Sequence, residues 1–237
     1  MRLLVTRPEP DGAKTAELIG TLGHRVHFHP LLTPEYYPLI GEHKPAALAV
    51  TSRNGVRALA SWPESLAWRA LPVFAVGDAT AKSARAAGFS NVVSADGDGE
   101  ALAGLIRKQF DPSTGPVLYA AGRNRSQGFT DALKVTGVDL DLVVAYHMPG
   151  ATVMPPELQV LLRSGSLDGV VFYSRRSAEL FVLLVEAAGL DEIWPNLDLF
   201  ALSQQIADVF AERPVRRIEV ASAPREDAML ELLGKAS

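Results

Sequence analysis

Ala47-Leu48-Ala49-Val50-Thr51-Ser52-Arg53-Asn54-Gly55-Val56-Arg57-Ala58-Leu59 decides the fold, because the same pattern returns as Gly169-Val170-Val171-Phe172-Tyr173-Ser174-Arg175-Arg176-Ser177-Ala178-Glu179-Leu180-Phe181. Each copy is an apolar run, then hydroxyl residues and arginine, then a helical pattern. A second matched pair follows each: Val73-Phe74-Ala75-Val76-Gly77-Asp78-Ala79-Thr80-Ala81 and Leu199-Phe200-Ala201-Leu202-Ser203-Gln204-Gln205-Ile206-Ala207. In all four, a buried strand runs into a small polar turn that opens a helix, the place where open parallel sheets bind ligands. Building this arrangement twice predicts two similar domains facing each other across a cleft.

Working outward, apolar β-branched runs predict strands at Leu3–Thr6, Val26–Leu31, Ala47–Thr51, Val73–Val76, Val92–Ser94, Val117–Ala120, Leu140–Tyr146, Gly169–Tyr173, Leu199–Leu202 and Arg217–Ala221. Helical periodicity falls between most of them. Asp11–Leu22 takes Asp11 as N-cap and Gly23 as stop, Asp78–Ala87 stops at Gly88, and Ser174–Ala188 stops at Gly189. Further helices are expected over Gly99–Gln109, Ser126–Val135 and Pro224–Leu233. Regular alternation predicts right-handed βαβ units and an α/β fold: two flavodoxin-like or Rossmann-like parallel sheets of about five strands each. Pro30–Pro38 and Pro149–Pro156 read as linkers. Cutting at both gives a discontinuous domain, 1–33 plus 150–237, and an inserted one, 34–149. A single cut near Asp111-Pro112-Ser113-Thr114-Gly115 is the alternative, and equal strand counts favour two cuts. Two short linkers would let the domains change orientation on binding.

The 237 residues are 48% apolar and 21% charged, an ordinary globular composition. The absence of cysteine removes thiol catalysis, thiolate metal sites and disulfides, and fits a reducing compartment. The opening Met1-Arg2-Leu3-Leu4-Val5-Thr6-Arg7-Pro8 is too short in apolar length for a signal peptide or a span, so the expectation is a soluble, cytoplasmic protein without membrane contact. A net charge of −4 argues against a nucleic-acid coat, and any anionic ligand must be met by locally placed arginines.

The nucleotide and serine-hydrolase fingerprints fail: Gly97, Gly99 and Gly104 are wrongly spaced for a dinucleotide loop, and no P-loop or G-x-S-x-G occurs. Among five histidines, His27 and His29 share a strand face but lack a third ligand at metal-site spacing, so no metal is expected. Arginines stand out instead. Arg7, Arg53, Arg123, Arg125, Arg175 and Arg176 each fall just beyond a predicted strand. Any one alone reads as a solvated side chain. Recurrence at one structural location suggests a polyanion, since guanidinium grips carboxylate bidentately and helix N-termini add N–H donors. Thr51, Ser52, Thr80, Ser174 and Ser203 occupy the same ends, where helix capping is the competing explanation. With Asn54, Gly77 and Gly122 they complete the expected ligand contacts. Tyr146 ends Val143-Val144-Ala145-Tyr146 beside the second linker; there it would face the cleft or pack the hinge, and a phenol can donate a proton.

The ordered set of these pieces resembles the uroporphyrinogen-III synthase family over almost the whole chain. It comprises Leu4-Val5-Thr6-Arg7-Pro8, Val50-Thr51-Ser52 with Gly55-Val56, Phe74-Ala75-Val76-Gly77-Asp78-Ala79-Thr80-Ala81, Val117-Leu118-Tyr119-Ala120-Ala121-Gly122, Val144-Ala145-Tyr146, Phe172-Tyr173-Ser174 and Ala221-Ser222-Ala223-Pro224. Ser203-Gln204-Gln205 departs from the glycine- and threonine-containing turn frequent in the family, and Arg53-Asn54 falls where members vary. The resemblance implies two α/β domains with the active site in the cleft. The implied substrate is hydroxymethylbilane, a linear octacarboxylate tetrapyrrole. It would lose its terminal hydroxyl as water, form a spiro intermediate and re-close with the last ring inverted. It implies no metal or organic cofactor and gives Tyr146 the catalytic role. Expected partners are this substrate and a transient contact with the upstream deaminase; no nucleic acid is expected, and the state should be monomeric. A two-domain anion-binding or regulatory module without catalysis is the alternative reading.

Overall fold

A computed structural model describes residues 1–235. Contacts divide the chain into two compact units, Met1–Thr33 with Pro149–Ser237, and Pro34–Met148. In chain order, β1 (Arg2–Val5), α1 (Asp11–Thr21) and β2 (Arg25–Phe28) begin the discontinuous unit. The continuous unit follows with β3 (Glu35–Tyr36), β4 (Ala47–Val50), α2 (Arg53–Ser61), β5 (Pro72–Ala75), α3 (Asp78–Ala86) and β6 (Asn91–Ser94), then α4 (Gly99–Gln109), β7 (Val117–Gly122), α5 (Gly128–Lys134) and β8 (Leu140–His147). The first unit resumes with α6 (Pro156–Arg163), β9 (Gly169–Phe172), α7 (Arg175–Ala187), β10 (Asp198–Ala201), α8 (Gln204–Ala207), β11 (Arg217–Val220) and α9 (Glu226–Lys235).

The fold is α/β with two sheets, ordered β11-β10-β9-β1-β2 and β3-β8-β7-β4-β5-β6. All pairs are parallel except β3 with β8. Strands covered by helices on both faces read as continuous apolar runs, and β4 (ALAV) and β9 (GVVF) are buried throughout. β10 (DLFA) is equally buried although it opens on an aspartate. Arg216 and Arg217 meet that Asp198 carboxylate at 2.7 and 2.8 Å. Burial alone would raise its pKa, but the two arginines outweigh burial and hold it below the usual range. Edge strands β2, β6 and β11 each begin with an exposed residue.

Successive residues face opposite layers. In the continuous unit Leu48, Val50, Leu118 and Ala120 pack with Val56 and Leu59 of α2. Ala47, Ala49, Tyr119 and Ala121 pack with Leu102 and Ile106 of α4 and Phe129 of α5. In the discontinuous unit Leu4 and Phe172 join an aromatic cluster of Phe181, Trp194 and Phe210, while Leu3, Val5 and Phe200 pack on Met229 and Leu233 of α9.

Three expectations change. Pro30–Pro38 is not wholly a linker: Glu35 and Tyr36 form β3, registered on His147 and Tyr146 of β8, so this sheet has six strands rather than five. Proline flanks hid a strand only two residues long. Asp11 does not cap α1; Pro10 occupies the cap position, no side-chain cap bond forms, and Asp11 is the first helical residue. The expected stops at Gly23, Gly88 and Gly189 do take φ of +88°, +95° and +59°. The third change concerns the sense in which the sheets are alike. Laid side by side, β2-β1-β9-β10-β11 matches β8-β7-β4-β5-β6, with the two sequence repeats on corresponding strands, but the chain enters the two sheets at different points. The same strand arrangement is reached by circularly permuted connections.

Candidate active site

β4 comes first among the parallel strands of the continuous unit. β5 and β6 are added on one side of it and β7 and β8 on the other, so the winding reverses between β4 and β7. Such reversals leave a crevice beyond the carboxyl ends of the strands. A cavity of about 280 Å³ lies there, lined by Thr51, Ser52, Tyr119, Gly122, Arg125 and Tyr146, with Val76, Gly99, Asn124, Ser126 and Phe129 around them.

Two hydroxyl pairs define its chemistry. Ser52 caps α2, its Oγ accepting the Gly55 N–H at 3.0 Å. The same Oγ lies 2.8 Å from the Tyr146 phenol of β8. Its neighbour Thr51 places Oγ1 2.9 Å from the phenol of Tyr119 on β7. Consecutive residues after one strand are thus each held by a tyrosine from one of the next two strands. Tyr119 is 2% exposed, and burial pushes its phenol pKa up although the Thr51 bond opposes this. Gly122 permits the arrangement: a Cβ there would stand 2.8 Å from Cζ and Oη of Tyr146. Arg125 turns its Nη1 to the Gly122 carbonyl at 3.1 Å, while its buried Nε has no hydrogen-bond partner among the described residues.

Of the other expected contacts, Arg53 and Asn54 open α2. Asn54 is engaged internally, accepting from Arg57 at 2.8 Å and from Tyr36 at 3.2 Å. Gly77 takes the cap position of α3, with Thr80 buried in its first turn. Arg123 points elsewhere: its guanidinium lies 5.5 Å from the centre of the Tyr37 ring and lines a separate cavity with Pro38, His43 and Val144.

In the discontinuous unit the winding reverses between β1 and β9, and Arg7 and Tyr173 follow those strands. Arg7 is 7% exposed; its Nη1 donates to Glu226 at 2.8 Å and to Thr15 at 2.7 Å, and it stacks 4.3 Å over the Tyr173 ring. Burial would raise the Glu226 carboxyl, but bonds from Arg7, Thr15 and Tyr173 hold it below its ordinary value. Arg7 is therefore already matched by a carboxylate of the chain itself. Ser174 caps α7 through the Ser177 N–H at 3.1 Å. Arg175 pairs with Glu179 at 2.7 Å. Ser203 occupies the cap position of α8 without a side-chain cap bond. Tyr119, Asn124 and Ser126 belong to the cavity without having been singled out in the sequence; Tyr119 sits inside an apolar run, where an aromatic reads as core. No group of acidic or histidine side chains suited to a metal occurs among the described residues.

Two hydroxyl pairs and an arginine at a sheet reversal make a donor-rich site for an oxygen-bearing anion. The family model for uroporphyrinogen-III synthase HemD matches residues 13–231. The chain belongs to that family, lyases that cyclise hydroxymethylbilane in tetrapyrrole biosynthesis. No curated protein matches it by sequence. Among solved structures it is similar to uroporphyrinogen-III synthetase from Helicobacter pylori, at 20% identity and a TM-score of 0.68, covering 100% of this chain and 99% of that one. It is also similar to a mutant uroporphyrinogen III synthase from Thermus thermophilus, at 18% identity and a TM-score of 0.57, covering 100% and 98%. At these identities the structures speak to the fold.

Proposed function

We propose that the cavity of the continuous unit is where this chain promotes loss of the terminal hydroxyl of hydroxymethylbilane, ahead of closure to uroporphyrinogen III with the last ring inverted. The observation that carries this reading is the Tyr146–Ser52 pair at 2.8 Å. Two hydroxyls sharing one hydrogen bond keep one proton over. Ser52 Oγ already accepts the Gly55 N–H, so the spare proton is free to point into the cavity. There it can be given to the departing oxygen, which leaves as water while the pyrrole nitrogen supplies the electron pair and carries the resulting charge. The last pyrrole of the chain then attacks that methylene through its α-carbon already bearing a bridge, giving the spiro intermediate. The old bridge bond breaks, the freed methylene is captured by the same ring's other α-carbon, and loss of the proton there completes the inverted ring. Because uncatalysed closure gives the non-inverted isomer, the protein's main task is to hold one conformation. Arg125 supplies charge for a carboxylate, and Thr51 and Gly122 supply further contacts within the same cavity.

Supplying hydroxymethylbilane to the purified chain and separating the isomers tests the reading. Uroporphyrinogen III formed above the uncatalysed rate is expected; recovery of the non-inverted isomer alone would overturn it. No described helix is long and apolar enough to cross a membrane. We further propose a cytoplasmic monomer without nucleic-acid partners that meets the upstream deaminase transiently, and light scattering of the purified chain tests the monomeric state.

A further inference from the structure

We propose that Tyr119 is a positioning residue for this reaction, holding Thr51 so that its hydroxyl serves as a second donor beside the Tyr146–Ser52 pair. The inference rests on the function proposed above.

Packing alone asks only for a phenylalanine at this place. The ring lies edge-on to Phe129, with centroids 4.9 Å apart and planes at 80°, among Ala47, Ala49, Leu102 and Leu133. A hydroxyl buried in such surroundings costs free energy unless it is hydrogen-bonded. Its bond goes to Thr51 Oγ1 at 2.9 Å. Again two hydroxyls share one hydrogen bond and one proton is left over. Tyr119 is 2% exposed while Thr51 is half-buried, and both line the cavity. Either hydroxyl can donate in this bond; we take the more enclosed phenol as the donor, which leaves the Thr51 proton to face the cavity. This fixes the rotamer and donor direction of Thr51, next in sequence to Ser52. Two donors then converge on one volume, the geometry that stabilises an oxygen gaining negative charge.

Four proteins test this: the wild type, Tyr119→Phe, Thr51→Val and the double variant, each measured for kcat, KM and melting temperature with hydroxymethylbilane. A neutral hydrogen bond of ordinary strength corresponds to roughly a 3- to 10-fold loss of kcat in Tyr119→Phe, with KM kept within about twofold. Thr51→Val should lose a similar factor. The double variant should lose no more than Thr51→Val alone, because Tyr119 acts through Thr51. A Tyr119→Phe enzyme with wild-type kcat overturns the inference, as does a double variant whose losses multiply. If Tyr119→Phe does not fold, Thr51→Val carries the test, and wild-type kcat in that variant also overturns it. A wild type that forms no uroporphyrinogen III overturns the proposed function and this inference together. An active wild type with an indifferent Tyr119→Phe overturns this inference only.

Discussion

Gly122 and Tyr146 form one unit at the level of single residues. The ring lies where a Cβ of residue 122 would be, 2.8 Å from its Cζ and Oη. Gly122→Ala must therefore push the phenol off Ser52, and it is expected to lower kcat at least as far as Tyr146→Phe. Tyr146→Phe itself should lower kcat about 10- to 100-fold with KM nearly kept, the low end for a general acid because the leaving group is already reactive. A folded Tyr146→Phe with more than about half the wild-type kcat would remove the proton-donor role. Thr51, Ser52 and Tyr146 were legible because polar residues ending apolar strands are conspicuous. Tyr119 was not, since its hydroxyl sits inside Val117–Ala120 and only the tertiary structure brings Thr51 to it. Arg7 was legible as a charged residue after a strand, but its Glu226 partner lies at the other end of the chain, beyond any local pattern.

Among elements, the start of α2 is where a helix cap and the proposed chemistry coincide. Ser52→Ala removes the cap bond to Gly55, a loss of about 1 kcal/mol (range 0.5–2), and also the partner of Tyr146, so melting temperature and kcat should fall together. Ser203 makes no cap bond, and Ser203→Ala should leave stability within about 0.5 kcal/mol of the wild type. The discontinuous unit is tied at β1 and the turn before β9 by Arg2 and Asp168, 2.6 Å apart. Hydrogen bonding to Arg2 depresses the Asp168 pKa to about 2. The depressed group contributes stability above its unfolded pKa of about 3.9 and loses it as pH falls through the native value. Asp168→Asn should therefore lower the melting temperature at neutral pH and flatten its fall between about pH 4 and 2. His43 has the opposite sign. Its Nδ1 meets Asp141 at 2.5 Å and its Nε2 the Ile40 carbonyl at 3.0 Å, two acceptors that suit an imidazolium. The Asp141 bond raises its pKa, so its contribution is full below about pH 6.5 and is lost as pH rises through the native value.

For the molecule as a whole, the α/β class was legible from the alternation of apolar runs and helical stretches. The circular permutation was not, because β1 and β7 occupy matching places in the two sheets without a matching sequence pattern. Net charge bears on function at this scale as well. The chain carries −4 and its proposed substrate is an octacarboxylate. The overall field therefore opposes association, and local cations such as Arg125 in the cavity must overcome it. The two contributions respond oppositely to salt. Screening the repulsion between like net charges would lower KM, whereas screening a guanidinium–carboxylate attraction would raise it. A pair in a partly desolvated cavity is screened much less than a diffuse field between exposed charges, so KM should fall between about 50 and 200 mM sodium chloride while kcat changes little, and Arg125→Gln should raise KM at both salt concentrations. A KM that rises with salt would mean that exposed guanidinium groups, rather than the net field, control capture.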